Sequence, residues 1–416
     1  MEVARSMKFL VLNGGSSSFK CWFSDVSDDR RSIKAPPPLW SARVDWSHHS
    51  GTAEIHIRRA RGAAQNYSTQ AEGLVAVLEP VIQSLWEGPA KIIQAPREVD
   101  AVGHRIVHGG PEHRAPAVIT PEVRSVIAEQ SEFAPSHNRF ELEAIRIVDE
   151  VMGRSVLQMA TFDTGFHSTL EPSAYAYPGP YQWLERGIRR YGFHGISHRY
   201  AAHRAAEMLR TDSLRVITCH LGNGASLAAV RDGKSVDTTM GFTPIEGLMM
   251  GTRCGSIDPG ILIYLVRHLG YNADQLDRIL NQESGLLGVS GVSGDMREVL
   301  TAMAAGNDRA RLAFDIYVHR LIREIGAMIA VVGGVDALVF TGGVGENCAP
   351  LRSRVCDHFQ FAGLRLDAEQ NNEPKLDQEI SASDSSVRVL VIRAEEEWEI
   401  ARECYPLVKA LRVSSV

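Results

Sequence analysis

Three glycine-rich turns, each entered from a short apolar run, constrain this chain more than any other feature. Phe9-Leu10-Val11-Leu12 opens into Asn13-Gly14-Gly15-Ser16-Ser17-Ser18. Val216-Ile217-Thr218-Cys219 opens into His220-Leu221-Gly222-Asn223-Gly224-Ala225-Ser226. Leu338-Val339-Phe340 opens into Thr341-Gly342-Gly343-Val344-Gly345-Glu346-Asn347. A compact apolar run closed by turn residues reads as a buried strand. Glycine lets backbone amides approach an anion closely, and serine hydroxyls add donors. The first two turns lead into further strand-like runs, Phe19 to Phe23 and onward to Val230, so each reads as a hairpin. Asp232-Gly233 signals another hairpin turn. Two such strand–turn–strand units predict two similar halves facing one nucleotide cleft. Neither a G-x-x-x-x-G-K-[ST] loop nor a G-x-G-x-x-G fingerprint occurs, so the hairpins themselves would hold the phosphates.

The rest of the chain alternates strands and helices. Ala101 to His108 reads as a strand closed by Gly109-Gly110. Ile145, Val148 and Met152 mark a helix over 139–152, and Val156 to Phe162 is a strand running into Asp163. Leu321, Ile325, Met328, Ile329 and Val332 mark a long helix. Val387 to Ile392 is a strand, and a C-terminal helix starts at Glu395. This is an α/β pattern. Residues 27–75 are polar and give no clear period. His48, His49 and His56 in that stretch lack metal-ligand spacing and read as surface residues, as does the run Arg58-Arg59-Ala60-Arg61.

At about 150 residues per domain, 416 residues imply two or three domains. A net charge of −6 argues against nucleic acid or an anionic membrane as the main partner. The six cysteines, at 21, 219, 254, 348, 356 and 404, form no C-x-x-C pair and read as packed thiols of a cytoplasmic protein. Cys254 and Cys348, which fall in motif loops, read the same way. The longest apolar stretch, Gly326 to Phe340, is interrupted by Asp336 and is too short to span a membrane. The N-terminus lacks the apolar stretch of a signal peptide.

Several polar residues sit at strand ends. Arg105 lies inside an apolar strand, where a charge is costly unless paired or bound to ligand. Arg253, in Gly251-Thr252-Arg253-Cys254-Gly255, is brought close to any substrate by its glycines. An arginine fork suits carboxylate and phosphate oxygens, and equally a structural ion pair. Asp163 ends a strand, as a turn former or a functional carboxylate. His194 sits in the Gly-flanked turn Tyr191-Gly192-Phe193-His194-Gly195. Glu395-Glu396-Glu397 opens a helix whose positive end suits carboxylates. The same carboxylates could hold Mg²⁺ directly or through water.

Taken in order, these segments resemble the acetate kinase (acetokinase) family of the sugar kinase, heat-shock protein and actin superfamily. The resemblance runs from about Lys8 to Arg402. It rests on Asn13 to Lys20, His104 to Gly110, Phe162 to His167, Arg190 to His198, His220 to Ser226, Met240 to Gly247, Gly251 to Arg253 and Gly342 to Asn347. It implies two duplicated actin-like (ribonuclease H-like) α/β domains around a nucleotide cleft, usually as a homodimer. The expected domains are 1–165, completed by a C-terminal helix over 398–416, and 166–397. ATP is the implied co-substrate, with Mg²⁺ or Mn²⁺.

The resemblance also implies roles. Asn13, Ser16, Ser18 and Lys20 would lie near the phosphates and metal, with Asn13 and Glu396 linked to the ion. Arg105 and Arg253 would bracket the carboxylate and the transferred phosphoryl group. Asp163 would organise the reacting groups, and His194 would donate to an equatorial oxygen in the transition state. Gly222, Asn223, Gly224 and Ser226 would approach the ATP phosphates, with His220 nearby. Asp295, Arg297, Gly343, Gly345 and Asn347 would hold the adenosine. Val107, Phe193 and Pro244 would line the acyl pocket. Ser136 stands where the family commonly places an apolar pocket residue, which points to a wider or more polar pocket. The expected reaction is ATP + acetate (short-chain carboxylate) = ADP + acyl phosphate by direct in-line transfer. The rival readings are a propionate or butyrate kinase, a same-fold kinase acting on an alcohol, and a non-catalytic nucleotide-binding regulator. An alcohol acceptor would call on Asp163 as base, whereas paired arginines suit a carboxylate.

Overall fold

The computed structural model describes residues 6–15, 18–27, 33–46, 51–62, 64–71, 73–132, 135–375 and 377–413, and side chains at all of these but 132 and 135–137. The chain divides into two compact units, Met1–Gly165 with Glu395–Val416, and Phe166–Ala394.

The first unit is built on β1 (Met7–Gly14), β2 (Ser18–Val26), β3 (Trp40–Asp45), β4 (Thr52–Arg59), β5 (Gln65–Gln70), β6 (Ala101–Ile106), β7 (Ala117–Val118) and β8 (Gln158–Phe162). Their order in the sheet is β5-β4-β3-β2-β1-β6-β8-β7. β1 to β5 form an antiparallel meander, while β6 runs parallel to both β1 and β8. β1 is central, and Phe9, Leu10, Val11 and Leu12 are all buried. The polar stretch that gave no period holds three of these strands. In β4, Ala53, Ile55 and Ile57 are buried while their neighbours are partly exposed. One solvated face explains why the segment reads as polar. The helices Leu74–Gln83 and Pro135–Met152 contribute Leu78, Val81, Ile82, Ala144, Ile147 and Val148 to one core with this meander.

The second unit is built on β9 (Arg215–Leu221), β10 (Ala225–Arg231), β11 (Lys234–Thr238), β12 (Ala337–Thr341), β13 (Gln378–Glu379) and β14 (Arg388–Val391). Their order is β11-β10-β9-β12-β14-β13. β9 is antiparallel to β10 and parallel to β12, which is parallel to β14. The order β3-β2-β1-β6-β8 therefore recurs as β11-β10-β9-β12-β14 with the same strand directions. This is the doubled α/β fold that the two strand–turn–strand units predict.

One reading needs correction. The third glycine-rich segment, Gly342–Asn347, is not an open turn but a short helix after β12. The apolar stretch Gly326 to Phe340, by contrast, is as read: the end of the helix Asp308–Val332 followed by β12. Among the described residues no helix is long and apolar enough to cross a membrane.

Candidate active site

In the first unit, parallel pairing puts Arg105 of β6 opposite Thr161 of β8. Side chains two apart on a strand share a face, and Asp163, two residues beyond Thr161, meets Arg105. The guanidinium donates from Nη2 and Nε to Asp163 Oδ2 at 2.6 and 3.1 Å, and from Nη1 to the Gly14 carbonyl at 2.9 Å. Asp163 is fully buried and the Arg105 side chain is 11% exposed. Burial works against the charge on Arg105, but Asp163 and Glu396 more than restore it, so the guanidinium is held charged. The partner for a charge inside an apolar strand is thus a carboxylate at the next strand's end.

Asn13, at the end of β1, donates its amide to Glu396 Oε2 at 2.8 Å and Glu397 Oε1 at 2.7 Å. Both glutamates are buried in the first turn of the helix Glu396–Val413. Lys20 lies 3.8 Å from Glu397. Ser18 begins β2, and Ser16 lies outside the described residues. Among the described residues no group of three His, Cys, Asp or Glu could hold a metal by itself. Carboxylate and amide oxygens are nonetheless the donors a hard cation prefers, and Mg²⁺ typically takes one or two carboxylates and completes its shell with water and phosphate. Asn13 and Glu396 fit that mode.

Two residues without a sequence signal hold the segment after Arg105. Glu141, on the helix Pro135–Met152, accepts the Val107 N–H at 3.0 and 3.2 Å. Asn138 accepts the His108 N–H at 3.2 Å and donates to the His108 carbonyl at 3.1 Å. A helix side chain here supplies the bonds a strand neighbour would. Burial pushes the Glu141 carboxyl up to about 8. The side chain of Ser136, on the same helix, lies outside the described residues.

In the second unit, Thr218 and His220 of β9 share a face with Ser226 and Ala228 of β10, since Thr218 pairs with Ala228 and His220 with Ser226. Against that face lies the helix Gly195–Leu209, preceded by His194 at φ 56°. A non-glycine residue in the left-handed region carries strain of the kind stored at functional sites. The turn before it needs glycine at 192, where φ is 77° and a Cβ would come 2.6 Å from both His167 and Thr238. His194 Nδ1 lies 2.8 Å from Ser226 Oγ, and His220 Nδ1 lies 2.7 Å from Ser197 Oγ. The His194 and His220 rings stack with centroids 4.3 Å apart. Burial holds His198 well below the ordinary imidazole range and lowers His167 to about 4.

Gly224, in the β9–β10 turn, has no room for a side chain: a Cβ would stand 2.8 Å from Arg253 Nη2 and 3.3 Å from His194 Nε2. Predicted residues Arg253, His194 and Gly224 therefore converge on one point. Gly222 N–H bonds the Gly224 carbonyl at 2.9 Å, and the Asn223 carbonyl accepts the Gly251 N–H at 2.9 Å, tying the turn to the Arg253 loop. Arg253 Nη1 donates to the Pro244 carbonyl at 2.6 Å. Phe193 is buried and Pro244 half-buried. Asp295 caps the helix Met296–Ala304 and pairs with the exposed Arg297 at 2.5 Å. Asn347 Nδ2 donates to the Gly343 carbonyl at 2.8 Å, and the Gly345 carbonyl accepts from the buried Arg352 at 2.8 Å. Sequence reasoning gave no role to His198 or Thr218, and set Ser226 against the ATP phosphates, whereas its hydroxyl is buried between His194 and His198; spacing two along β9 is the signal that groups Thr218 with His220.

The sequence model of the Acetokinase family matches residues 8–402. The chain is 52% identical to an acetate kinase of Nostoc punctiforme over 405 residues, covering 97% of this chain and 100% of that one. Its structure is similar to the crystal structure of Porphyromonas gingivalis acetate kinase, with a TM-score of 0.85, 38% identity, and 97% and 100% of the two chains covered. It is also similar to a propionate kinase from Francisella tularensis, with a TM-score of 0.85, 34% identity, and 95% and 98% covered.

Proposed function

The chain belongs to the acetokinase family, and on that premise we propose how its residues serve the kinase reaction. ATP and acetate, or ADP and acetyl phosphate, are the substrates. A carboxylate oxygen of acetate attacks the γ-phosphorus of ATP in line. The new P–O bond forms as the bond to the ADP oxygen breaks, and the ADP oxygen keeps the electron pair. No proton need move, because the acceptor is already ionised near neutral pH.

Arg105 carries this reading. Its guanidinium is fixed by Asp163 and the Gly14 carbonyl, so it offers a pre-oriented charge to the carboxylate and to the phosphoryl oxygens. Such transfer depends on positioning and dispersed positive charge more than on covalent chemistry. Asp163 organises Arg105. An oxygen that already accepts two N–H bonds from a guanidinium is a poor base, which favours a carboxylate acceptor over an alcohol. Arg253 and His194, converging at Gly224, receive the transferring group. The β9–β10 turn with His220 approaches the ATP phosphates, as do Ser16, Ser18 and Lys20. Asp295, Arg297, Gly343, Gly345 and Asn347 hold the adenosine, and Val107, Phe193 and Pro244 line the acyl pocket. Glu396 and Asn13 would hold Mg²⁺, or Mn²⁺ in its place, which when bound neutralises charge on the phosphate oxygens.

A second copy of this chain is the proposed partner. The helix Pro259–Leu269 buries no residue, although Ile261, Ile263, Tyr264, Val266 and Leu269 are apolar and exposed. A helix apolar all round is normally covered. Antiparallel self-pairing would set Asp258 at its start against Arg267 and His268 in its last turn. Ile263→Asp is expected to convert a dimer to a monomer in analytical ultracentrifugation. A reducing compartment, the cytoplasm, suits the six free thiols.

Propionate is the second reading for the acceptor, favoured by Ser136 and by the likeness to a propionate kinase. A hydroxamate trap with Mg-ATP and acetate, propionate, butyrate, glycolate and a sugar control tests both. Trapped hydroxamate from acetate or propionate supports the class, and the ranking names the acid. No product from any acid, with ATP binding intact, would overturn it.

A further inference from the structure

The second unit contains a continuous hydrogen-bonded line leading away from His194 Nδ1. His194 Nδ1 lies 2.8 Å from Ser226 Oγ, which lies 2.8 Å from His198 Nε2. His198 Nδ1 in turn lies 2.7 Å from Thr218 Oγ1. His198, Ser226 and Thr218 are each completely buried. His198 is kept neutral by its burial, with His167 and His220 adding to the effect. A neutral imidazole donates at one nitrogen and accepts at the other, so the line must have a direction.

Two directions are possible. In one, the Thr218 hydroxyl donates to His198 Nδ1, His198 Nε2–H donates to Ser226 Oγ, and the Ser226 hydroxyl donates to His194 Nδ1. In the other, each bond reverses, and the Thr218 hydroxyl proton is left to the Ala228 carbonyl, 3.4 Å away. That distance is outside the usual range for a hydroxyl donor. The first direction uses bonds of 2.7 and 2.8 Å throughout. It also leaves the single ring proton of a neutral His194 on Nε2, the nitrogen that faces Gly224.

We infer that Thr218, His198 and Ser226 are positioning residues that fix the proton of neutral His194 on Nε2, so that His194 donates to the transferring phosphoryl group without becoming an imidazolium. The inference rests on the role given to His194 above. In the reverse direction a neutral His194 would present a bare nitrogen to an anion, and only the doubly protonated ring could donate.

The test is the ring-nitrogen spectrum of full-length protein labelled with ¹⁵N-histidine, recorded at pH 7.5 with ADP, Mg²⁺ and acetate. His194, assigned by its loss in His194→Ala, is expected as the neutral tautomer protonated at Nε2. Ser226→Ala is expected to give a mixture of tautomers. Its kcat is expected to fall about tenfold, the order of one net hydrogen bond, with KM for acetate within about twofold. A wild-type His194 protonated at Nδ1, or at both nitrogens, overturns the proposal, and this reading needs a folded His194→Ala only to assign the signal, not Ser226→Ala. Wild-type kcat in His194→Ala would instead remove the role of His194 in transfer, while the tautomer still decides the direction of the line.

Discussion

In the first unit the residues gathered near the ends of β1, β6 and β8 are carboxylates around a guanidinium: Asp163, Glu396, Glu397 and the nearby Glu141 with Arg105. In the second, one face of β9 and β10 and the helix Gly195–Leu209 against it carry imidazoles and hydroxyls: His220, Thr218 and Ser226 from the strands, His194 and His198 from the helix and its start. The five-strand order beneath them is the same. The difference teaches that a repeated scaffold fixes where strand ends lie and leaves their chemistry open. A set of carboxylates suits a metal ion and a fixed arginine. Imidazoles and hydroxyls instead supply N–H and O–H donors without adding negative charge.

Breaking the first unit's charge set should have the largest effect. Arg105→Ala is expected to lower kcat by about 10² to 10³, the usual cost of one charge-stabilising donor. It also leaves Asp163 buried without its guanidinium, which costs on the order of 3 kcal/mol of stability. Steady-state kinetics and urea unfolding check both. Wild-type turnover would remove Arg105 from the reaction.

In the second unit, Gly224→Ala should cost up to about 10² in kcat. The new methyl would displace Arg253 and His194 by an amount comparable to an ångström-scale misplacement, and the backbone at 224 needs no positive φ. Unchanged kinetics would show that Arg253 and His194 do not act at that point.

Glu141 sharpens the contrast through pH. Its carboxyl is raised to about 8 in the folded chain, against about 4.3 when unfolded. The folded state therefore holds a proton that the unfolded state has released between these values. That contribution to stability is fully present below about pH 4 and is lost as pH rises through about 8. Glu141→Gln cannot lose it, so the variant should gain on wild type by up to about 1.4 kcal/mol per pH unit across this window. Denaturant midpoints from pH 5 to 8.5 decide it, and parallel curves would place Glu141 in a more polar setting.

The smallest effect is expected at the thiols. Burial raises Cys254 and Cys348 above the ordinary thiol range, so iodoacetamide at pH 7.5 should leave activity unchanged over an hour. Rapid inactivation would mark a reactive thiolate at one of them.

Much of this was legible in the sequence because the signals are local. The hairpin from Leu12 to Phe19 announces itself by an apolar run, a glycine turn and a second run, and Asp232-Gly233 does so in two residues. Arg105 inside an apolar strand demanded a partner. Where the sequence was silent, the cause was distance or compensation. In the polar meander, β3 and β4 bury mainly one face and β5 buries none. The run at Gly342 reads as a turn because glycine is a poor helix former, yet Glu346 accepts the Gly342 N–H at 3.0 Å and helps close the short helix.

By itself, then, the sequence determined the strand–turn–strand units, their duplication and the residue types able to handle phosphate and carboxylate, because backbone preference and hydrophobic period act over a few residues. Only the tertiary structure decided that Arg105 meets Asp163, that Glu141 and Asn138 brace the segment after it, and that His194 is wired through Ser226 to His198 and Thr218. Those pairings come from strand register and helix docking, which join residues far apart in the chain, and no local preference encodes them.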